Sequence, residues 1–357
     1  MVSDLVFDEF HYQSQLALKI QKLKQGFANF NIGNIEVFSS PIKHFRMRTE
    51  FRVWHKGDQL DFVMFGTDKK PYAVTEFPIG SITINQLMPQ LIQLLNADTD
   101  LKQKLYQIDF LTTQAGEALI TLIYHKQLND NWTAKAKQLK DHLKIDIVGR
   151  SKGQRILVDK EYVIEKFTVD AQEFAYQQVE ASFTQPNAVI CQSMLNWAAN
   201  NSKNIHQDLL ELYCGNGNFT LPLSKNFNKV MATEISKTSV DSALFNIEQN
   251  NIDNIAIARM SSEEFVQALD GTRNFFRLKH VNLEDYQFST IFVDPPRAGL
   301  DDKTVEITRR FDNIIYISCN PETLHKNLLK ITQTHEIKAF AAFDQFPYTH
   351  HLECGVI

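Results

Sequence analysis

Residues 208–220 read Asp208-Leu209-Leu210-Glu211-Leu212-Tyr213-Cys214-Gly215-Asn216-Gly217-Asn218-Phe219-Thr220. Leu209, Leu210 and Leu212 suit a buried strand. Gly215 and Gly217 let the backbone turn sharply and approach a ligand closely. A second strand, Lys229–Thr233, ends at Glu234. That acid follows the turn at about the spacing from which a carboxylate grips ribose hydroxyls. A dinucleotide fold would want a third glycine where Thr220 stands, with a helix N-terminus against a pyrophosphate. S-adenosylmethionine carries no phosphate, so a shortened Gly-x-Gly with a later acid suits it better. An ordinary strand-to-helix turn would also account for two glycines.

Two further segments end strands in the same way. Thr290-Ile291-Phe292-Val293 runs into Asp294-Pro295-Pro296-Arg297-Ala298-Gly299-Leu300. The two prolines lack N–H donors and fix φ, so the strand stops and the loop is stiff. Asp294 then projects into the crevice at the carboxyl ends of the strands, and Arg297 adds a planar cation suited to phosphate or a carbonyl oxygen. Ile314-Ile315-Tyr316-Ile317 leads into Ser318-Cys319-Asn320-Pro321. Cys319 therefore falls at a strand's carboxyl end. A lone cysteine there reads first as inert packing; the other two strand ends reverse that and favour chemistry.

Residues 211–219, 294–300 and 318–324 together resemble the RNA 5-methyluridine methyltransferases. So does Phe343-Asp344-Gln345-Phe346-Pro347-Tyr348-Thr349-His350-His351-Leu352-Glu353-Cys354. His44–Trp54 and Phe183-Thr184-Gln185-Pro186-Asn187 look like the tRNA (uracil-5-)-methyltransferase branch, which modifies uridine 54 of the T-loop. The resemblance implies an S-adenosylmethionine-dependent enzyme. Cys319 would add to uracil C6 and Glu353 would remove the C5 proton. Gln185, Tyr213, Asn218, Glu234 and Asp294 would bind the cofactor, while Cys191 and Cys214 would only pack. The chemistry is coherent: C5 of uracil is a poor nucleophile until a thiolate at C6 turns C4–C5 into an enolate. His350, His351 and Cys354 lack the spacing of a metal site, so no metal is expected. No cysteine precedes Cys191, so no iron–sulfur cluster is expected either.

Charge complicates an RNA partner. The net charge is −5. Residues 1–180 balance 22 Lys and Arg against 22 Asp and Glu, and residues 181–357 hold 15 against 20. Any RNA surface must then be a local patch that relies on loop shape more than bulk electrostatics. Arg46, Arg48 and Arg52 would share one face of a strand, interleaved with Phe45, Phe51 and Trp54. An exposed strand face with salt bridges explains the same residues. Tyr106, His125 and Arg297 are further RNA candidates, although from sequence alone Tyr106 and His125 each read first as a core aromatic. The T-loop of tRNA is the expected partner, with other RNA carrying a similar loop behind it; no protein partner is implied.

The chain has no signal-peptide pattern and no apolar run long enough to cross a bilayer. Its four cysteines are scattered, which fits a reducing cytoplasm. A helix is expected over Asp8–Gly26. Hairpins and two helices follow to about residue 160, in an α+β pattern. From Phe183 strands alternate with helices. The expected fold is α/β: a class I, Rossmann-like methyltransferase domain over 181–357, preceded by a smaller α+β RNA-recognition domain over 1–180 that includes the leading helix. A monomer is the simplest state. A ribosomal RNA uridine methyltransferase shares the chemistry, but its relatives usually carry a cluster or extra module. A nicotinamide oxidoreductase leaves Cys319 and the Asp294 loop unexplained. An adenine amino-methyltransferase wants an aromatic where Arg297 stands, and a non-catalytic RNA-binding protein has no use for Cys319 and Glu353.

Overall fold

The computed structural model describes residues 7–66 and 69–357. The described chain opens with helix α1 (Glu9–Gly26) and strand β1 (Ile35–Phe38). It then forms β2 (Arg48–Lys56), β3 (Gln59–Phe65), β4 (Pro71–Ala73), α2 (Ile82–Ala97), α3 (Thr99–Lys102), β5 (Leu105–Thr112), β6 (Ala118–Tyr124), α4 (Asp130–Leu143), β7 (Asp146–Ser151) and β8 (Gln154–Leu157). A hairpin of β9 (Tyr162–Val169) and β10 (Gln172–Val179) follows.

Contacts divide the chain into two compact units. The first holds Met1–Glu9, Pro41–Lys166 and Gln178–Ala188; the second holds Phe10–Ser40, Phe167–Gln177 and Val189–Ile357. This departs from a single cut at residue 180. The leading helix belongs with the C-terminal unit, because its Leu23 and Phe27 join the same core as Phe340 and Tyr316. Strand β1 also hydrogen-bonds in the sheet of that unit.

The first unit is a seven-stranded sheet in the order β4-β3-β2-β5-β6-β7-β8. Its strands are antiparallel except for the parallel β6–β7 pair, which α4 connects. Parallel neighbours need such a crossover. Leu87, Leu91 and Leu95 of α2 and Trp132, Ala136 and Leu139 of α4 recur at helical spacing and share one core with the strands. Asn129 caps α4 through its side chain, and Ser81 caps α2. On β2, Thr49, Phe51 and Val53 are buried while Arg48, Glu50, Arg52 and Trp54 occupy the other face.

The second unit continues with α5 (Ala188–Asn201), β11 (Asp208–Leu212), α6 (Thr220–Leu223), β12 (Val230–Glu234), α7 (Lys237–Gln249), β13 (Ile255–Arg259), α8 (Ser262–Leu269), β14 (Phe288–Val293), α9 (Asp302–Thr308), β15 (Asn313–Ser318), α10 (Pro321–Ile331), β16 (Phe340–Phe343) and β17 (Glu353–Val356). The sheet order is β1-β16-β17-β15-β14-β11-β12-β13. Every strand is parallel except β17, which runs antiparallel between β15 and β16. All five residues of β11 are buried, as a central strand covered on both faces must be. Strand order reverses beside β11, with β12 on one side and β14 on the other. That switch point is where open α/β sheets hold ligands.

Candidate active site

The turn after β11 is built from unusual backbone. Gly215 and Gly217 have φ of 56° and 83°, and Tyr213 has 64°. A side chain in that left-handed region is strained by about 1–2 kcal/mol, so its neighbours must hold Tyr213 there. Its backbone flanks the Cys214 amide, which donates to the Thr233 carbonyl at 3.0 Å, and its hydroxyl lies 3.1 Å from that of Ser262. A Cβ at Gly217 would meet Leu221 Cδ1 at 2.7 Å, whereas at Gly215 it would find nothing within 4 Å. Gly217 is therefore demanded by packing, and Gly215 leaves open space over the turn.

Glu234 ends β12 and is tied to that turn. Its carboxylate accepts from the amides of Gly215 (3.0 Å), Ile235 (2.8 Å) and Ser236 (2.7 Å). Three amide donors fix its orientation. Asn218 is held as well: its amide donates to Cys191 Sγ at 3.4 Å, and its carbonyl accepts from the Tyr176 hydroxyl at 3.1 Å. Cys191 thus does more than pack.

The Asp294 and Cys319 loops are joined. Asn320 Nδ2 and Thr323 Oγ1 both donate to the Arg297 carbonyl, at 3.2 and 3.4 Å. Asn327 bridges further back, accepting from the Leu300 amide at 3.0 Å and from the Tyr316 hydroxyl at 2.8 Å. Asn320 is also the N-cap of α10, with Pro321 beginning the helix. Cys319 immediately precedes this cap, where the helix N-terminus favours a thiolate.

Glu353 faces Cys319 from the antiparallel neighbour. The β15–β17 ladder ends at the Ser318–Cys354 pair, and Cys319 and Glu353 are the next residue of each segment beyond it, near enough for the carboxylate to raise the thiol. Glu353 is buried. Burial, then the nearby Asp294, pushes its carboxyl up to about 8. Burial alone pushes Asp294 up to about 7. Burial, then Glu353 and Asp294, pushes the Cys319 thiol up to about 11, while Arg297 pulls it down. Near neutrality Cys319 is therefore a thiol.

Sequence reasoning did not single out Glu211. It stands between Leu210 and Leu212 in the buried strand β11, and neither carboxylate oxygen has a hydrogen-bond partner. Burial, followed by Asp294 among the raising influences, pushes it up to about 8. The Thr220 hydroxyl lowers it slightly, although no bond of ordinary geometry joins the two. An acid inside an apolar strand was the available signal. Among the described residues, no group of three or more His, Cys, Asp or Glu is placed to hold a metal ion. None of the four cysteines forms a disulfide among the described residues, and of the four only Cys319 is not fully buried.

A sequence profile of the tRNA (Uracil-5-)-methyltransferases matches residues 11–357. The chain belongs to that family. A tRNA/tmRNA (uracil-C(5))-methyltransferase of Cellvibrio japonicus is 60% identical over 347 residues, covering 97% of this chain and 95% of that protein. A protein of the same name from Acinetobacter baylyi is 53% identical over 353 residues, covering 97% and 98%. Among solved structures, the fold matches the Pyrococcus abyssi tRNA (uracil-54, C5)-methyltransferase in complex with S-adenosyl-L-homocysteine. That match has a TM-score of 0.72 at 22% identity and covers 97% of this chain and 83% of the other.

Membership of the family does not make every expected residue a site residue. Gln185 lies on the segment that groups with the first unit and is half-buried there. Arg46 precedes β2, so the three arginines do not share one strand face; its Nε donates to the Arg48 carbonyl at 2.9 Å. Arg48 donates to the carbonyls of Ser182 and, at 2.8 Å, Glu180. Its guanidinium is a clamp on the chain, not a free cation. Phe45 and Phe51 are core residues, and only Trp54 of the expected aromatics is exposed. Strand alternation sends them inward.

Arg52, Tyr106 and His125 instead form a surface stack. The guanidinium lies 4.0 Å from the Tyr106 ring centre, and the Tyr106 and His125 rings are 4.2 Å apart, edge to face. Tyr106 is 37% exposed, so the core reading of this pair does not hold. Beside them is a groove of about 650 Å³ lined by Lys126, Arg150 and Lys152 among others. Arg297 is exposed on the loop after β14. Among the described residues, no helix is long and apolar enough to cross a membrane.

Proposed function

We propose that this protein methylates C5 of uridine 54 in the tRNA T-loop, with S-adenosylmethionine as methyl donor. The observation that carries the reading is Cys319 just past the carboxyl end of β15 with the buried acids Glu353 and Asp294 close to it, in a chain of this family. The cofactor fits the turn after β11. Glu211 offers a buried carboxylate with no partner, suited to a cationic group. Glu234 is held in place to accept from a ribose diol, and Gly215 leaves room for the ligand. Tyr213, Asn218 and Asp294 complete the cofactor residues of this unit. When bound, S-adenosylmethionine supplies an electrophilic methyl group and a positive charge that favours the ionised form of acids near it.

The remaining steps belong to this chain. Cys319 loses its proton and its sulfur bonds to uracil C6, which moves the C5–C6 π electrons toward C4 and makes C5 nucleophilic. After C5 has gained the methyl group, Glu353 in its carboxylate form takes the C5 proton. Those electrons re-form C5=C6 and break the C6–S bond, releasing the Cys319 thiolate. Arg297 stands free to contact the nucleotide. Arg52, Tyr106 and His125 offer a cation and two rings to the RNA loop, whose target base must leave its stack. A tRNA substrate places the reaction in the cytoplasm, and other RNA with a T-like loop, including transfer-messenger RNA, would serve as substrate on the same grounds.

The test is nucleoside mass spectrometry of unmodified tRNA incubated with S-adenosylmethionine and either the protein or Cys319→Ala. The expected result is 5-methyluridine with the first and none with the second. Product from the variant would remove Cys319 from the mechanism. Failure on tRNA with success on ribosomal RNA would move the substrate.

A further inference from the structure

One lysine of α1 breaks the pattern of its helix. Tyr12, Leu16, Lys19 and Leu23 are the buried residues of α1, at the spacing of one helical stripe. Lys19 stands where the stripe calls for an apolar side chain. Burying an ammonium is costly unless it is paired and hydrogen-bonded. Its partners lie 325 and 327 residues away, in the turn between β16 and β17. Lys19 Nζ donates to Asp344 Oδ1 at 2.6 Å and to the Phe346 carbonyl at 2.9 Å. Asp344 has no exposed surface.

The same helix touches that turn twice more. Gln15 donates to Asp344 Oδ2 at 3.3 Å, and the Tyr12 ring meets the Tyr348 ring edge to face at 6.1 Å. Tyr348 has a φ of 62°, a conformation its side chain disfavours. From Phe346 the bonds continue toward Glu353. The Phe346 carbonyl also accepts from Thr349 Oγ1 at 2.8 Å, and that oxygen accepts from the His351 amide at 3.1 Å. His351 is two residues before Glu353. An unbroken series of hydrogen bonds thus runs from a buried lysine near the start of the chain to the edge of the active site.

We infer that Lys19 is a positioning residue for Glu353: it fixes the turn 344–351 so that the carboxylate meets the C5 proton. The inference rests on the mechanism proposed above. It separates the two halves of that mechanism, because Cys319 is carried by β15 and α10 and not by this turn. Loss of Lys19 should therefore leave addition to C6 intact and slow proton removal. Methylated RNA should then remain bonded to Cys319.

The experiment incubates tRNA and S-adenosylmethionine with the protein, Glu353→Gln, Lys19→Met, Lys19→Arg and the double variant Lys19→Met with Asp344→Leu. The protein–RNA adduct is resolved on a denaturing gel, and kcat and KM for tRNA are measured alongside. Glu353→Gln should accumulate adduct; if it does not, the mechanism itself fails. Lys19→Met should also accumulate adduct, with kcat lowered at least tenfold and KM within about twofold, and Lys19→Arg should recover part of kcat. The double variant removes the buried charges as a pair, restoring stability without the Phe346 contact, and should still accumulate adduct. Adduct with Glu353→Gln but not with either Lys19→Met variant would overturn the inference. So would a double variant that turns over at the wild-type rate.

Discussion

Replacing Glu353 with glutamine should make Cys319 more reactive, but only in alkaline solution. The thiol is pushed up to about 11, first by burial and then by the Glu353 and Asp294 carboxylates, so it is almost wholly protonated near neutrality. Glu353, pushed up to about 8, is mostly protonated below that pH and acts as a neutral group. Glutamine in its place then changes little. Above pH 8 or so the carboxylate ionises opposite the thiol. Two unit charges roughly 5–10 Å apart at an effective dielectric constant near 20 repel by about 1.5–3 kcal/mol, or about one to two pKa units. Alkylation of Cys319 by iodoacetamide, followed by peptide mass spectrometry, reads this directly, since only the thiolate reacts. Wild type and Glu353→Gln should react alike near pH 6.5 and diverge ten- to hundredfold by about pH 9, the variant being faster. The buried Cys191, Cys214 and Cys354 serve as internal controls. Profiles that run parallel over the whole range would refute the placement of Glu353 opposite Cys319.

Other outcomes follow from the same coordinates. A Cβ at Gly355 would meet the Trp197 ring at 2.6–3.0 Å, so Gly355→Ala should destabilise the protein by about 1–3 kcal/mol, measured by urea unfolding. Glu211, Asp294 and Glu353 are all acids raised in the folded state, to about 8, 7 and 8. The native protein then holds protons that the unfolded chain has released, so stability should be greatest below the unfolded carboxyl range and fall as pH rises through about 8. Melting temperatures should show that decline, and Glu211→Gln should flatten it. Arg48→Ala removes two charge-assisted bonds to backbone carbonyls and should lower stability by about 1–3 kcal/mol. Arg52→Ala should leave the melting temperature within a degree or two but weaken tRNA binding severalfold in a filter assay. Equal tRNA affinity for Arg52→Ala and the wild type would count against the surface stack as an RNA contact, as would normal methylation by Tyr106→Ala.

What the sequence made legible was whatever is written locally. The leucines before Gly215, the prolines after Asp294 and the Asn320-Pro321 stop each announce a strand end within a few residues. Side-chain partners are not written that way. Arg48 reads as a surface cation until Ser182, 134 residues later, supplies the carbonyl it binds. Lys19 reads as an exposed helix residue until Asp344 arrives from the other end of the chain. Glu211 was quoted within a motif and still missed, because local pattern marks it as strand and only three-dimensional burial reveals an acid without a partner. The leading helix was expected correctly as a helix but assigned to the wrong unit, since an amphipathic stripe does not say what it packs against.

The edge strand β1 has a consequence for synthesis. Its partner β16 begins at Phe340, about 300 residues later. Ribosomes add roughly 5–20 residues per second, so Ile35–Phe38 waits about 15–60 s for the strand that covers it. Pro41–Lys166 can complete its own sheet during that delay, while the apolar face of α1 stays uncovered. An unpaired strand and a bare helix face are what chaperones bind. Release of the nascent chain from such a partner should coincide with emergence of the last strands.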